Sequence, residues 1–230
     1  MVHFNWTQLI SGIGHHYIHV ATVLLATVIL IVMASIGRLA LGSGKKAVIP
    51  AAKVSVKGFF EVIYEFVMNL SIQVIGEEGK KFAPMFASIF FFILINNLLG
   101  LVPGMTPATD NLNTTIAVGV FSFLIYNFYG FKEHGISYLK QFMGPVLLMA
   151  PLMIIIELIS HVVRPFSLGL RLYGNMVGDH TVLSIFLDLA GYFFVPVIFY
   201  FLGMFVCFMQ AFVFMMLTMI YVSMAISHDH

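Results

Sequence analysis

The sequence predicts an all-α, polytopic membrane helix bundle. Hydrophobic residues make up 60% of the 230 residues, whereas charged residues make up 9%. The surface of a soluble domain of this size needs far more charge than that. The mean hydropathy of +1.01 agrees with a chain that lies mostly within a bilayer. We therefore expect a single integral-membrane domain over residues 1–230.

The first element is the apolar run at residues 18–41, which is long enough to cross a bilayer. Arg38, Lys45 and Lys46 lie at or after its end. Positive residues flank the cytoplasmic ends of membrane spans, so this span should run from the outside to the cytoplasm. The N-terminus is therefore expected outside.

Residues 51–76 have a different pattern, in which a polar residue recurs at every fourth position. Lys53, Lys57, Glu61 and Glu65 carry the charges of this repeat, and apolar residues fill the positions between them. So many charges disfavour a lipid-exposed span, and the periodicity favours an amphipathic helix in the cytoplasmic interface. A helix that packs against other spans through its polar stripe is the alternative.

Two more spans are predicted at residues 82–102 and 115–130, after the positive pair Lys80 and Lys81. The segment between them, residues 102–114, contains prolines and an aspartate but no positive residue. This composition indicates a loop on the outside. The two spans therefore run outward and back.

The last two elements, residues 142–178 and 181–226, are too long for simple spans. A continuous helix over the first would measure about 55 Å, whereas the core of a bilayer is about 30 Å thick. That helix must therefore tilt, bend or break. Hydropathy alone would divide residues 181–226 into two spans.

The stretch ELISHVVRPFSLGLRLYGNMVGDH, residues 157–180, is polar within this apolar setting. An arginine at mid-bilayer depth costs several kcal/mol, so a chain that carries one there is expected to use it. Helical periodicity places a polar, small-residue stripe on one face, formed by Glu157, Ser160, Arg164, Ser167, Arg171, Gly174, Asn175 and Gly178. The opposite face is apolar and carries Leu158, Val162, Leu172, Met176 and Val177. A water-exposed loop, with Pro165 ending the preceding helix, is the alternative.

Two long motifs carry a family resemblance. SLGLRLYGNM, residues 167–176, and QAFVFMMLTMIYVSMA, residues 210–225, resemble the two signatures of subunit a of F-type ATP synthases, in the same order and spacing. The resemblance implies about five membrane helices, including a long, tilted C-terminal hairpin, plus one amphipathic interfacial helix. It also implies a C-terminus in the cytoplasm, a bacterial inner-membrane location and no cofactor.

The resemblance further implies a non-catalytic, proton-conducting stator. Its partners would be a ring of c subunits, each with a membrane-buried carboxylate, the peripheral-stalk b subunits and the lipid bilayer. The family's essential arginine corresponds to Arg171, which would separate two aqueous half-channels. Positions along those half-channels correspond to Asn175, Gln210 and His180, and on the cytoplasmic side to Glu157 and Ser160. Tyr221 matches a polar position on the last helix and is a further candidate for the proton path, with an interfacial anchor as the alternative.

His180 raises a question about the outer half-channel. Relatives often carry a second titratable group on the last helix, but the matching position here is Gly203. Asp179 and Asp188 are the candidates for that role, because they lie close to His180 in the sequence. Histidine titrates near neutral pH and can relay a proton.

Several function classes are excluded or less favoured. The chain lacks a GxxxxGK[ST] loop for nucleotide binding and a basic run for nucleic acid. Its single cysteine, Cys207, cannot form a disulfide framework or a cysteine metal site within one chain. One alternative is a secondary transporter that binds an anionic substrate through Arg171 and Glu157. The other is a haem-bearing redox subunit with His161 and His180 as axial ligands.

Overall fold

The computed structural model describes residues 18–41, 56–102, 104–135, 138, 150–190 and 195–226. Within these residues all regular structure is helical and no strand is present. The helices are α1 (Ile18–Leu41), α2 (Val56–Ile75), α3 (Gly79–Leu99), α4 (Leu112–His134), α5 (Ala150–Ala190) and α6 (Val195–Ile226), with a short 3-10 helix at Ala108–Asp110. Each of the six α-helices contains a stretch long and apolar enough to cross a bilayer. The predicted fold class, a polytopic helical membrane bundle, is confirmed.

The described chain divides into two compact units. The first comprises Met1–Ala108 and Cys207–Met215, and the second comprises Thr109–Val206 and Met216–His230. The middle of α6 therefore belongs to the first unit, and its two ends belong to the second.

In the first unit, α2 packs antiparallel to α3. At the turn that joins them, the Ser71 hydroxyl donates a hydrogen bond of 2.8 Å to the carbonyl oxygen of Gly79. A Cβ on Gly79 would overlap the Ser71 carbonyl, so only glycine permits this close approach. Farther along the pair, the rings of Phe60 and Phe91 have centroids 6.3 Å apart. The two helices are thus in contact along much of their length.

The fully buried residues of α2 are apolar or small. Val67 and Ser71 are buried, whereas Glu65, near the middle of the helix, is exposed. Lys57 and Glu61 form an ion pair, with their nitrogen and oxygen atoms 3.5 Å apart. The polar stripe is thus divided, because Lys57 and Glu61 are partly buried whereas Glu65, Asn69 and Gln73 are exposed.

In the second unit, two glycines bring α4 and α5 into close contact. A Cβ on Gly119 would run into the carbonyl oxygen of Pro165, and a Cβ on Gly169 would lie 3.0 Å from the carbonyl oxygen of Thr115. The same unit includes a buried hydrogen bond of 2.9 Å between the hydroxyls of Ser122, on α4, and Thr218, on α6. Small residues permit such close packing of membrane helices.

The boundary between the last two helices differs from the predicted one. The sequence places it at residues 179–180, but α5 continues to Ala190 and α6 begins at Val195. No proline or glycine occurs between Asp179 and Ala190 to stop the helix. The hydroxyl of Thr181 donates a hydrogen bond of 2.7 Å back to the carbonyl oxygen of Val177. Polar side chains that bond within the helix in this way do not interrupt it.

Candidate functional site

Helix α5 turns one face inward and the opposite face outward. Leu168, Leu172 and Met176 are buried, with 3%, 1% and 0% of their surface exposed. Arg171 and Asn175 lie on the exposed side. The expected apolar back is therefore present at Leu172 and Met176, but Leu158 and Val162, assigned to the same face, are exposed.

Arg171 is an exposed cation on a helix of membrane-spanning length. Among the described residues it has no ion-pair partner. The neighbouring Gly174 and Gly178 are also exposed, and a Cβ on either would meet nothing within 4 Å. This part of α5 presents a fixed positive charge beside a small-residue surface. Such a surface lets an anionic group on another chain approach closely.

Glu157 and Arg164 line a cavity, which we call the Glu157 cavity. A guanidinium nitrogen of Arg164 donates to a Glu157 carboxylate oxygen at 3.2 Å. The guanidinium carbon lies 5.5 Å from the ring centroid of Tyr221, within the range of a cation–π contact. The cavity is open on one side, and the space that water can occupy within it is about 30 Å³. Its lining is formed by Tyr126, Tyr138, Glu157, His161, Arg164, Tyr221, Met224 and Ala225.

One wall of the Glu157 cavity is held by Asn127. Its Oδ1 lies 2.9 Å from His161 Nε2 and 3.4 Å from the hydroxyl of Tyr138. The other side of the amide, Nδ2, donates to the carbonyl of Phe123 at 2.8 Å. His161 is buried, and its ring makes an edge contact with Tyr126, with centroids 5.3 Å apart.

A second set of titratable residues lies around the later part of α5, and we call it the His180 cluster. It consists of His180, Asp179 and Asp110, which interact electrostatically. Burial raises the pKa of Asp110 above its ordinary value, and the neighbouring His180 partly opposes that rise. Asp179 Oδ2 and His180 Nε2 are buried and have no hydrogen-bond partner among the described residues. Buried polar atoms of this kind are normally satisfied by water, so the cluster is suited to hold it.

The remaining expected residues lie elsewhere. Ser160 is exposed on α5 and does not line the Glu157 cavity. Gln210 is half-buried on the part of α6 that belongs to the first unit. Gly203 is buried. The side chain of Asp188 lies outside the described residues, so its candidacy beside His180 stays a prediction.

The sequence did not indicate Asp110 or Asn127 as site residues. Asp110 is the acid of a loop whose composition indicates only an outside segment, and Asn127 lies in a span with no motif around it. Their roles depend on contacts with α5, 34 to 70 positions away in the sequence. One available signal for Asp110 was that it is the only acid in its loop.

The haem alternative does not fit this geometry. His161 and His180 lie on one continuous helix, separated by a rise of about 28 Å. Two axial ligands of one iron must face each other across it, so these two histidines cannot bind the same haem.

Comparisons with known proteins agree with the fold. Residues 20–223 match the family model described as ATP synthase A chain. The ATP synthase subunit a of Bdellovibrio bacteriovorus is 59% identical over 228 residues, which cover 99% of each chain. The subunit a of Trichlorobacter lovleyi is 47% identical over 175 residues, 76% of each chain. That of Geobacter sulfurreducens is 46% identical over 180 residues, 78% of each chain.

Several helices of membrane-spanning length, with charged side chains along them, define a multi-pass helical membrane protein. With a family match over residues 20–223 and a relative similar over almost its full length, the class can be narrowed. The chain belongs to the ATP synthase A chain family. It is a subunit of the membrane sector of a bacterial F-type ATP synthase, active in ATP synthesis and proton transport, and not a catalytic subunit.

Proposed function

We propose that this subunit is the stator that carries protons to and from the carboxylates of a c-subunit ring, through two aqueous half-channels separated by Arg171. The observation that carries the proposal is the exposed Arg171, which has no ion-pair partner among the described residues. An arginine at this depth costs several kcal/mol without a counter-charge. A carboxylate on a neighbouring ring supplies that charge.

The chemistry of Arg171 suits this separation. A permanently charged guanidinium attracts an ionised ring carboxylate and disfavours the protonated form at that position. It also repels a proton that would pass directly between the half-channels. Protons must then travel with the rotating ring, and each one gains about 2.3 kcal/mol per 100 mV of membrane potential.

The positions of the Glu157 cavity and the His180 cluster support two separate half-channels. Glu157 precedes Arg171 by a rise of about 21 Å, and His180 follows it by a rise of about 13 Å. The Glu157 cavity and the His180 cluster thus lie on opposite sides of Arg171 along the helix axis. We assign the Glu157 cavity, with Tyr221 in its wall, to the cytoplasmic half-channel and the His180 cluster to the outer one.

The remaining polar residues have supporting roles in this proposal. Asn175, one turn after Arg171, carries an amide that can orient water or the guanidinium, and the amide of Gln210 on α6 can hold water. Asp110 takes the place of the second titratable group that Gly203 leaves open, because it interacts with His180 from another element. Asp179 and Asp188 are further members of this group, and Ser160 belongs to the cytoplasmic side. The b subunits would join the complex at the peripheral stalk.

The test is ATP-driven proton pumping in inverted membrane vesicles that carry the Arg171→Ala variant. We expect pumping to fall to background while the c ring still co-purifies, because the barrier and the counter-charge are both removed. Arg171→Lys is the matched variant, and we expect it to pump poorly because an ammonium that the c ring covers in the complex can lose its proton. Normal pumping by an assembled Arg171→Ala complex would contradict the proposal and reopen the anion-transporter alternative.

A further inference from the structure

The Glu157 cavity contains a titratable group that the proposed path does not use, His161. It follows Glu157 by one helical turn and precedes Arg164 by almost another, so the three side chains share one face of α5. All three line the cavity. His161 itself is only 6% exposed, so it is in contact with the cavity while it is shielded from bulk water.

The hydrogen bonds around Asn127 determine which nitrogen of His161 can exchange a proton. Asn127 Nδ2 donates to the Phe123 carbonyl at 2.8 Å, which turns Oδ1 toward the histidine. An amide oxygen only accepts, so His161 Nε2 must donate across the 2.9 Å that separates them. The Nε2 proton is therefore retained by this hydrogen bond. Nδ1 is the nitrogen at which the ring gains and loses a proton.

We propose that His161 is a further proton-carrying residue of the Glu157 cavity, a role that rests on the half-channel function proposed above. A proton from cavity water binds at Nδ1 and gives an imidazolium. The same proton then leaves Nδ1 for the Glu157 carboxylate or for water, and the neutral ring is restored. The Nε2 proton stays on the ring, donated to Asn127 Oδ1, throughout, so the ring keeps its orientation during each transfer.

The charges that face His161 are compatible with a transient imidazolium. Burial of the ring and the Arg164 guanidinium oppose the imidazolium, whereas the Glu157 carboxylate, also on α5, favours it. The other titratable neighbours are Tyr126 on α4, Tyr138, and Tyr221 on α6. Burial raises the pKa of Tyr138, so its hydroxyl stays protonated and remains a donor to Asn127 at neutral pH. A site with one carboxylate and one arginine can accept a second cation briefly without holding it.

The test uses His161→Gln in the assembled complex, in inverted vesicles. A glutamine amide can donate to Asn127 as Nε2 does, but it cannot titrate. Pumping is normalised to the amount of complex and expressed as the ratio of variant to wild type at each pH from 5.5 to 8.5, a range chosen to bracket histidine titration at about pH 6.5. We expect a loss of roughly tenfold, below the 10²–10⁴-fold typical of positioned proton-transfer groups, because cavity water offers a parallel path. We also expect the ratio to change with pH.

Two further variants separate this role from a structural one. Tyr138→Phe removes the other hydrogen bond to Asn127 Oδ1 without removing a group that titrates at neutral pH, so its ratio should not vary with pH. Asn127→Asp places a carboxylate against Nε2 and favours the imidazolium, so its pH profile should move to higher pH than that of wild type. The Asn127→Asp variant remains informative if the complex with His161→Gln does not assemble.

The outcomes distinguish this inference from the proposed function. Wild-type pumping by His161→Gln at every pH, or an unmoved profile in Asn127→Asp, would overturn the role of His161 and leave the half-channels intact. Pumping by Arg171→Ala would instead overturn the half-channel function itself, whatever His161→Gln does.

Discussion

The two arginines of α5 differ in how their charge is compensated. Arg164 donates to Glu157 and lies over the ring of Tyr221. Arg171, two turns later, is exposed and has no such partner in the described part of the chain. A cation that is compensated within its own chain serves the fold or a local cavity, whereas one that is not requires an anion from elsewhere. This difference separates the two residues more clearly than their spacing in the sequence does.

Asp110 provides a test of the His180 cluster. We expect Asp110→Asn to reduce ATP-driven pumping several-fold, because the amide cannot carry the proton that the carboxyl exchanges with His180. Below its raised pKa the wild-type carboxyl is also protonated and resembles the amide. The deficit should therefore be smallest at acidic pH and grow as the pH rises through the pKa of Asp110. Pumping rates of the two complexes across that pH range measure this.

The control for Asp110→Asn is its neighbour Asn111. The Asn111 side chain caps α4 by accepting from the backbone N–H of Asn113 at 2.9 Å. Asn111→Asp preserves that cap and adds a carboxylate next to Asp110, so it should not impair pumping as Asp110→Asn does. Equal losses in both variants would indicate a disturbed loop rather than a lost proton carrier.

The sequence could predict residues whose role depends on one helix, but not those whose role depends on two. The exposed positions of Arg171 and Asn175 follow from helical periodicity within α5. The pairing of His161 with Asn127 does not, because it requires knowing which face of α4 packs on α5. The interaction of Asp110 with His180 could not be predicted for the same reason, because the two residues lie on different elements. The family resemblance contributes Arg171 but offers no information at His161.

At the scale of the helices, the contact between α4 and α5 depends on backbone approach. Gly119 lies against the Pro165 carbonyl, and Gly169 lies against the backbone of Thr115 and Ile116. Because these neighbours are backbone atoms, no rotamer change can make room for a side chain. The same contact aligns Asn127 with His161, so the Glu157 cavity depends on it. The two glycines of the α5 motif therefore differ in role. Gly169 packs against α4, whereas Gly174 lies on the exposed side of α5.

We predict that Gly119→Val separates α4 from α5 and destabilises the subunit by about 1–3 kcal/mol or more, the usual range for overpacking. The matched control is Ala117→Val, because Ala117 lies on the exposed side of the same helix. Both variants carry the same β-branched side chain at the substituted position. The measurements are the amount of subunit in the membrane and the thermal stability of the purified complex. Equal stability of the two variants would show that the contact tolerates a side chain.

At the scale of the whole chain, the number of crossings decides on which sides the termini lie. All six helices are long and apolar enough to cross, so length alone would place both termini on one side. Charge argues against a crossing by α2. Glu65 is exposed near the middle of this helix, and a crossing would place it in lipid at mid-depth. Insertion scales assign about 2.5–3.5 kcal/mol to such a carboxylate. Among the described residues Glu65 has no ion-pair partner, unlike Lys57 and Glu61.

We therefore predict five crossings, with α2 at the cytoplasmic interface, the N-terminus outside and the C-terminus in the cytoplasm. Single cysteines introduced by Glu65→Cys, Glu78→Cys and Asn113→Cys, in a Cys207→Ser background, can be labelled with a membrane-impermeant maleimide. The first two should react in inverted vesicles and the third in right-side-out vesicles, because Glu78 and Asn113 lie at opposite ends of the outward and returning spans. A cysteine appended after His230 should react on the same side as Glu78→Cys. If α2 crosses instead, Glu65→Cys will be protected on both sides, and the termini will lie on the same side of the membrane.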